Sequence, residues 1–364
     1  MSIHPFLLAA AATLSLSAPA VAQTADALKV IEIDVEGGAA TLYVTPQGHS
    51  LLVDTGWPAG QGGPRGTADK AAPYVLNSAE RIVAAAKAAG LSKLDYVLIT
   101  HYHLDHVGGV PDLVKLIPVG TVIDHGNNHE FPPPGAPQAA LTGASATLYP
   151  AYLKAIEGIA RRSVAAGDKI DIDDLHITVT NAAGALIPTA LAGGGAPGVD
   201  CAKAVPKAED GGDENARSVG LFMTYGTTRI FAGGDSIWNI ENALVCPTNR
   251  IGPIDLYVAN HHGSALSNSP QFLKSIAPRV IAMDNGPAKG GDASSLDSFR
   301  MSPRLQGLWQ LHKAVNPAVK NEPDAHLVNV PEATDGAAMN IAVGKDGTIT
   351  VTNGRTGRSE TYRR

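Results

Sequence analysis

Apolar positions along this chain fall into short runs, and their spacing predicts strands more often than helices. Leu28–Val35, Thr41–Thr45 and Ser50–Asp54 are β-rich runs cut by Gly37-Gly38 and Gln47-Gly48, the pattern of a meander. Asn77, with Glu80 three positions on, opens an Ala-rich stretch that stops at Gly90, so a capped helix is expected there. Leu94–Thr100 is almost continuously apolar, as in a strand covered on both faces, and Thr121–Asp124 repeats that pattern. Ala151–Ala166 reads as a helix and Lys169–Thr180 as β structure, followed by a Gly/Ala/Pro-rich surface insertion over Ala183–Gly212. Ser218–Tyr225 and Thr228–Ala232 form a hairpin about Gly226. A strand Ile254–Asn260, a helix Ser269–Ile276 and a strand Arg279–Met283 follow. Ser302–Val315 is expected to be helical with Pro303 at its first position, and Met339–Val343 with Thr348–Thr352 to be a hairpin. Strands and helices alternate twice, each half opening on β-rich segments. The expected fold class is therefore α/β, layered as an αββα sandwich with a C-terminal helix-plus-hairpin extension.

Composition narrows the partners. With 364 residues, 44% hydrophobic and 17% charged, the chain is globular and long enough for a large core. Its 28 Lys+Arg against 34 Asp+Glu leave a net charge of −6, which disfavours long nucleic acid and leaves small molecules as the expected substrates. The apolar stretch Phe6–Leu16 followed by Ala20-Val21-Ala22 reads as a cleavable export signal, predicting a periplasmic or secreted protein. No later segment has the roughly 18 apolar residues of a transmembrane span. The expected divisions are a signal over 1–22, a main domain over 23–285 and an extension over 286–364 packed on it. Cys201 and Cys246 suit one disulfide in an oxidising compartment, although spacing alone does not establish the bridge.

The chemistry concentrates in His101-Tyr102-His103-Leu104-Asp105-His106, immediately after a buried strand. Imidazole nitrogen and carboxylate oxygen are donors for Zn²⁺ and related cations. His101 and His103, two apart on extended chain, can grip one cation, and Asp105 with His106 a second. Two further strand ends carry matching groups: Gly233-Gly234-Asp235, whose carboxylate can bridge two cations, and His261-His262-Gly263-Ser264. His262 is favoured as the ligand and His261 as a neighbour of the scissile group.

Together these segments resemble the metallo-β-lactamase fold superfamily. H-x-H-x-D-H at His101–His106 matches its metal motif, and Leu51-Leu52-Val53-Asp54-Thr55-Gly56 its first motif, whose Asp orders the metal loop. Asn215-Ala216-Arg217-Ser218-Val219, Gly234-Asp235 and His261-His262-Gly263-Ser264 are similar to the hydrolase domain of the competence protein ComEC and its free-standing relatives. The resemblance covers roughly residues 28–285. It implies an αββα sandwich with a one- or two-metal site at the sheet edge. Many superfamily members place a histidine ligand between the metal motif and the bridging Asp; here that stretch offers Asn215 and Ser218, with His125 as a substitute donor or substrate contact. Such a site suits Zn²⁺, one or two ions, and is also compatible with Mn²⁺.

The activity expected is metal-assisted hydrolysis, in which a bound water becomes hydroxide near neutral pH and the cations hold the developing charge. Asp105 would orient that hydroxide, Asp54 would fix the loop, and His261 and His125 would face substrate. A phosphoester or phosphodiester is the first substrate class. A β-lactam or lactone is the alternative on the same machinery, and a non-catalytic metal-binding protein is the reading outside enzymes. No G-x-S-x-G elbow occurs, which argues against an α/β-hydrolase.

Overall fold

In the computed structural model the described residues are 26–61, 77–130, 144–207, 214–331 and 336–364. The expected export segment lies outside them. Strands β1 (Leu28–Glu32), β2 (Thr41–Val44) and β3 (Ser50–Val53) form an antiparallel meander. Helix α1 (Ser78–Ala88) follows, its N-terminus closed by the reciprocal Asn77–Glu80 capping box, and β4 (Leu94–Leu98) joins β3 in parallel. Short helices α2 (Leu104–Val107) and α3 (Val110–Leu116) lead to β5 (Val119–Asp124), and α4 (Ala144–Ala155) to β6 (Ala160–Ser163).

The second sheet begins with the hairpin β7 (Lys169–Ile172) and β8 (Leu175–Ala182), with β9 (Ala185–Leu186) paired to β8. A further hairpin joins β10 (Gly220–Tyr225) to β11 (Thr228–Ala232). Then α5 (Trp238–Val245), β12 (Leu256–Val258), α6 (Pro270–Ile276), β13 (Val280–Met283), α7 (Ala293–Arg300), β14 (Gly307–His312) and β15 (Leu327–Asn329) extend it in parallel. The chain finally returns to the first sheet as β16 (Met339–Val343), β17 (Ile349–Asn353) and β18 (Ser359–Tyr362), with β16 beside β1. The strand orders are β18-β17-β16-β1-β2-β3-β4-β5-β6 and β15-β14-β13-β12-β11-β10-β8-β7.

Alternation along the strands divides the apolar residues into three layers, the arithmetic of an αββα sandwich. Val30, Tyr43, Leu221, Ile230, Val280 and Trp309 fill the space between the sheets. Leu42, Ile82, Val97, Leu113 and Tyr152 pack α1, α3 and α4 on the first sheet. Phe231, Leu244, Tyr257, Phe272 and Phe299 pack α5, α6 and α7 on the second.

Two expected helices are corrected. Within Ala151–Ala166 the helix ends at Ala155, Gly158 takes a left-handed turn (φ 84°), and Ala160–Ser163 becomes the edge strand β6. Within Ser302–Val315 the ordered element is β14, and the helix lies earlier, at Ala293–Arg300. Every β14 residue is buried, because the strand lies between β13 and β15 and both faces are covered. Such a strand loses the period-2 signal and cannot be told from a buried helix by pattern. Cys201 and Cys246 are joined by a disulfide, tying the Gly-rich segment to the end of α5.

One polar group is out of place in the inter-sheet layer. Glu32 is fully buried, and burial, reinforced by the negative charge of Asp284 and only partly offset by the Thr41 hydroxyl, pushes its pKa up to about 8. The folded chain therefore keeps a proton on Glu32 at pH 7 that the unfolded chain releases. Stability should fall as pH rises from about 4.5 to about 8 and level off beyond. Glu32→Gln removes this proton uptake, so urea unfolding across that window should show a flatter pH profile than the parent. An equal slope in both proteins would contradict it.

Candidate metal centre

Five strands deliver polar residues from their C-terminal ends to one place. Asp54 follows β3, Thr100–His106 follow β4, Asp235 follows β11, His261 and His262 follow β12, and Asp284 follows β13. Parallel pairing gathers the ends of β3 and β4 in one sheet and of β11, β12 and β13 in the other, and the packing of the two sheets brings the two sets, more than a hundred positions apart, side by side.

Asp54 sits in the left-handed region (φ 61°) and turns its carboxylate under the histidine loop. Its Oδ1 accepts from Thr100 N at 2.8 Å, and its Oδ2 accepts from Thr100 Oγ1 at 2.7 Å and from His106 Nδ1 at 2.8 Å. One buried carboxylate thus fixes both ends of the loop. A Cβ at Gly109 would overlap the Thr55 carbonyl, so glycine there lets the turn between α2 and α3 rest on the chain leaving β3.

Asp105, His106, Asp235 and His262 present ligand atoms that all lie within 4.8 Å of one another, and all four residues are buried. His106 Nε2 is 3.2 Å from Asp235 Oδ1, 3.4 Å from Asp105 Oδ2 and 3.2 Å from His262 Nε2. His262 Nε2 is 3.2 Å from Asp105 Oδ2 and 3.7 Å from Asp235 Oδ1. Two donors on one tetrahedral Zn²⁺, each ~2.0–2.1 Å away, stand about 3.3 Å apart, so these spacings fit a shared cation. The other oxygen of Asp235 faces a different pair: His261 Nε2 at 3.3 Å and His101 Nε2 at 3.8 Å. The carboxylate therefore spans two groups of imidazoles. Successive left-handed residues, His261 and His262 (each φ 55°), aim one ring at each oxygen.

The hydrogen bonds behind the rings fix their tautomers. His106 Nδ1 faces Asp54, and His262 Nδ1 is 3.1 Å from Asp284 Oδ2; carboxylates only accept, so both Nδ1 atoms carry hydrogen. The Thr100 hydroxyl donates to Asp54 and so accepts from His101 Nδ1 at 3.1 Å. All three rings then turn Nε2 inward. His101 Nε2 is buried without a hydrogen-bond partner, and the Nε2 atoms of His106 and His262 meet at 3.2 Å beside two carboxylates. A divalent cation reconciles that arrangement, and the N/O donor set accommodates Zn²⁺ or Mn²⁺.

The same contacts set the electrostatics of the cluster. Burial opposes charge on His106, but Asp235 and Asp54 outweigh it and push its pKa up to about 10. Burial also opposes charge on Asp235, yet His106, His261 and His262 hold it well below the usual carboxylate range. His101 goes the other way, held well below the ordinary histidine value by burial and then by the charges of His106 and His103.

The remaining expected site residues stand outside the four-donor set. His103 is a quarter exposed, with Nε2 3.1 Å from Glu130 Oε1. His125 is buried behind the loop, its Nε2 3.1 Å from Glu214 Oε2 and its ring against Tyr102, so the structure does not place it among the convergent donors. Asn215 lies in a short turn, and buried Ser218 precedes Val219, whose N–H donates to the Thr100 carbonyl at 2.9 Å. Sequence reasoning missed Thr100, Glu130, Glu214, Asp284 and Lys289. Asp284 carried a usable signal, since Met283-Asp284 repeats the strand-then-acid arrangement of Asp235; Glu130 and Lys289 lie in loops without one. Asp34, Glu36 and His312 form a second buried cluster. There the Arg81 guanidinium, 3.4 Å from each acid, supplies the positive charge and ties α1 to β1 and β14.

Fold and site together define a mixed α/β protein with a His/Asp cluster at the strand ends that could hold a metal ion, and residues 33–186 match the Metallo-beta-lactamase superfamily. An Atrochrysone carboxyl ACP thioesterase of Aspergillus fumigatus is 35% identical over 81 residues, 22% of this chain and 15% of that one. A Hydroxyacylglutathione hydrolase of Vibrio parahaemolyticus is 57% identical over 30 residues, 8% of this chain and 12% of its own length. Among solved structures, the metallo-beta-lactamase fold protein YhfI of Bacillus subtilis is 14% identical with a TM-score of 0.40, covering 78% of this chain and 95% of its own. The diiron beta-hydroxylase CmlA of Streptomyces venezuelae is 15% identical with a TM-score of 0.43, covering 78% and 53%. No residue role passes from these proteins to this chain. No helix among the described residues is long and apolar enough to cross a membrane.

Proposed function

We propose that this chain is an exported metal-dependent hydrolase of small phosphoesters or phosphodiesters. The observation that carries the reading is the Asp235 carboxylate, one oxygen within a complete His/Asp donor set and the other facing His101 and His261. Asp105, His106, Asp235 and His262 would hold the first cation, and His101, His103 and the second Asp235 oxygen would offer donors to another. When bound, such cations lower the pKa of a water from ~15.7 towards ~7 and polarise the scissile oxygen. Asp54 and Asp284 keep hydrogen on the Nδ1 atoms of His106 and His262, so that Nε2 of each ring is the atom turned towards the cation site. Asp105 and Asp235 would accept from and orient an attacking water. His261, slightly exposed, has Nε2 3.3 Å from Asp235 Oδ2 and would neighbour the scissile group. The ComEC-like motifs favour phosphoesters, and the disulfide with the apolar leader favours export.

A β-lactam or lactone is the second reading on the same site, and the partly matched thioesterase adds a thioester to that carbonyl class. Bis-p-nitrophenyl phosphate, nitrocefin and an acyl-homoserine lactone separate the two. The phosphodiester should be turned over, chelation should abolish turnover, and Zn²⁺ or Mn²⁺ should restore it. Turnover of only the lactone or nitrocefin would favour the second reading, and activity that survives chelation would reject both.

A further inference from the structure

We infer that Lys289 recognises the substrate by binding an anionic oxygen next to the scissile bond, so that the preferred substrates carry negative charge there. This deepens the hydrolase reading above and rests on it. Lys289 lies in the loop after β13, outside every motif singled out in the sequence. Its ammonium contacts Asp105 Oδ2, donates to the Gly37 carbonyl at 2.8 Å, and lies 5.1 Å from the centre of the Trp57 ring. The Asp105 oxygen it touches is the one facing His106 and His262. A carboxylate oxygen committed to a divalent cation has little charge left for a second one. The Gly37 carbonyl and the Trp57 face nevertheless keep the ammonium at the site. Its side chain is 32% exposed against 12% for Asp105, which puts a fixed positive charge where the buried cluster meets solvent. An anion bound across the cations would meet this charge first. The flexible stem allows the ammonium to follow a phosphate oxygen without moving the backbone.

The test uses Lys289→Met and Lys289→Arg in the full chain loaded with Zn²⁺, with metal content and thermal melting measured alongside. Calorimetric titration with inorganic phosphate should show binding weakened roughly 10- to 100-fold in Lys289→Met, the range of one charge-assisted hydrogen bond, and partly restored in Lys289→Arg. KM for bis-p-nitrophenyl phosphate should rise by a similar factor, and the loss should exceed that on neutral p-nitrophenyl acetate by about tenfold or more. Unchanged phosphate affinity would overturn the inference. So would loss of bound metal in Lys289→Met, because the lysine would then serve only to hold Asp105. If the parent binds metal and phosphate but turns over no ester, the hydrolase reading fails, and the phosphate titration still decides whether Lys289 is the anion contact.

Discussion

Asp235→Ala should lose bound metal and turnover together, with activity falling by on the order of a thousandfold or more, since the cations generate the nucleophile. Asp235 faces both imidazole groups: His106 and His262 through Oδ1, and His101 and His261 through Oδ2. Removing it leaves neither group complete. It also takes away a negative charge that would favour a cation beside His106 and His262, whose Nε2 atoms lie 3.2 Å apart. Elemental analysis of the dialysed variant alongside its kinetics checks this. Full metal content with full activity in Asp235→Ala would mean that Asp235 lies outside the chemistry.

Asp54→Ala should damage folding and metal affinity at once, although Asp54 is not itself among the convergent donors. The carboxylate accepts from Thr100 N, Thr100 Oγ1 and His106 Nδ1. Without it, these buried donors lose their acceptor and His106 loses the group that fixes its tautomer. Breaking a buried charged contact of this kind costs roughly 3–5 kcal/mol, and loss of a partner behind a metal ligand lowers affinity about 10- to 100-fold. Urea unfolding and metal titration measure the two separately. A variant as stable as the parent, with unchanged affinity, would show that the loop after β4 holds its shape without Asp54.

Much of this centre was legible because its residues sit directly after strands with clear apolar signals. The Leu94–Thr100 run ends at the histidine segment, Thr228–Ala232 at Asp235, and Ile254–Asn260 at His261-His262. The capping box at Asn77–Glu80 was equally legible, since it depends only on local contacts. What the sequence hid was decided by tertiary packing. β14 looked helical because both its faces are covered. That His262 and not His261 joins the four-donor set follows from two consecutive left-handed residues, which strand parity cannot foresee. Lys289 and Glu130 reach the site from loops, where position follows from folding and no periodicity marks it. His125 attracted attention at a strand end, but the buried Glu214 carboxylate, reached from a distant part of the chain, holds it behind the loop.

The most direct test of the central claim is anomalous diffraction at the zinc or manganese edge from crystals of the metal-loaded chain. A peak enclosed by Asp105, His106, Asp235 and His262 is the expected result. Loaded crystals with no peak among those four residues, or with the metal bound elsewhere, would contradict the assignment of a metal centre to these strand ends.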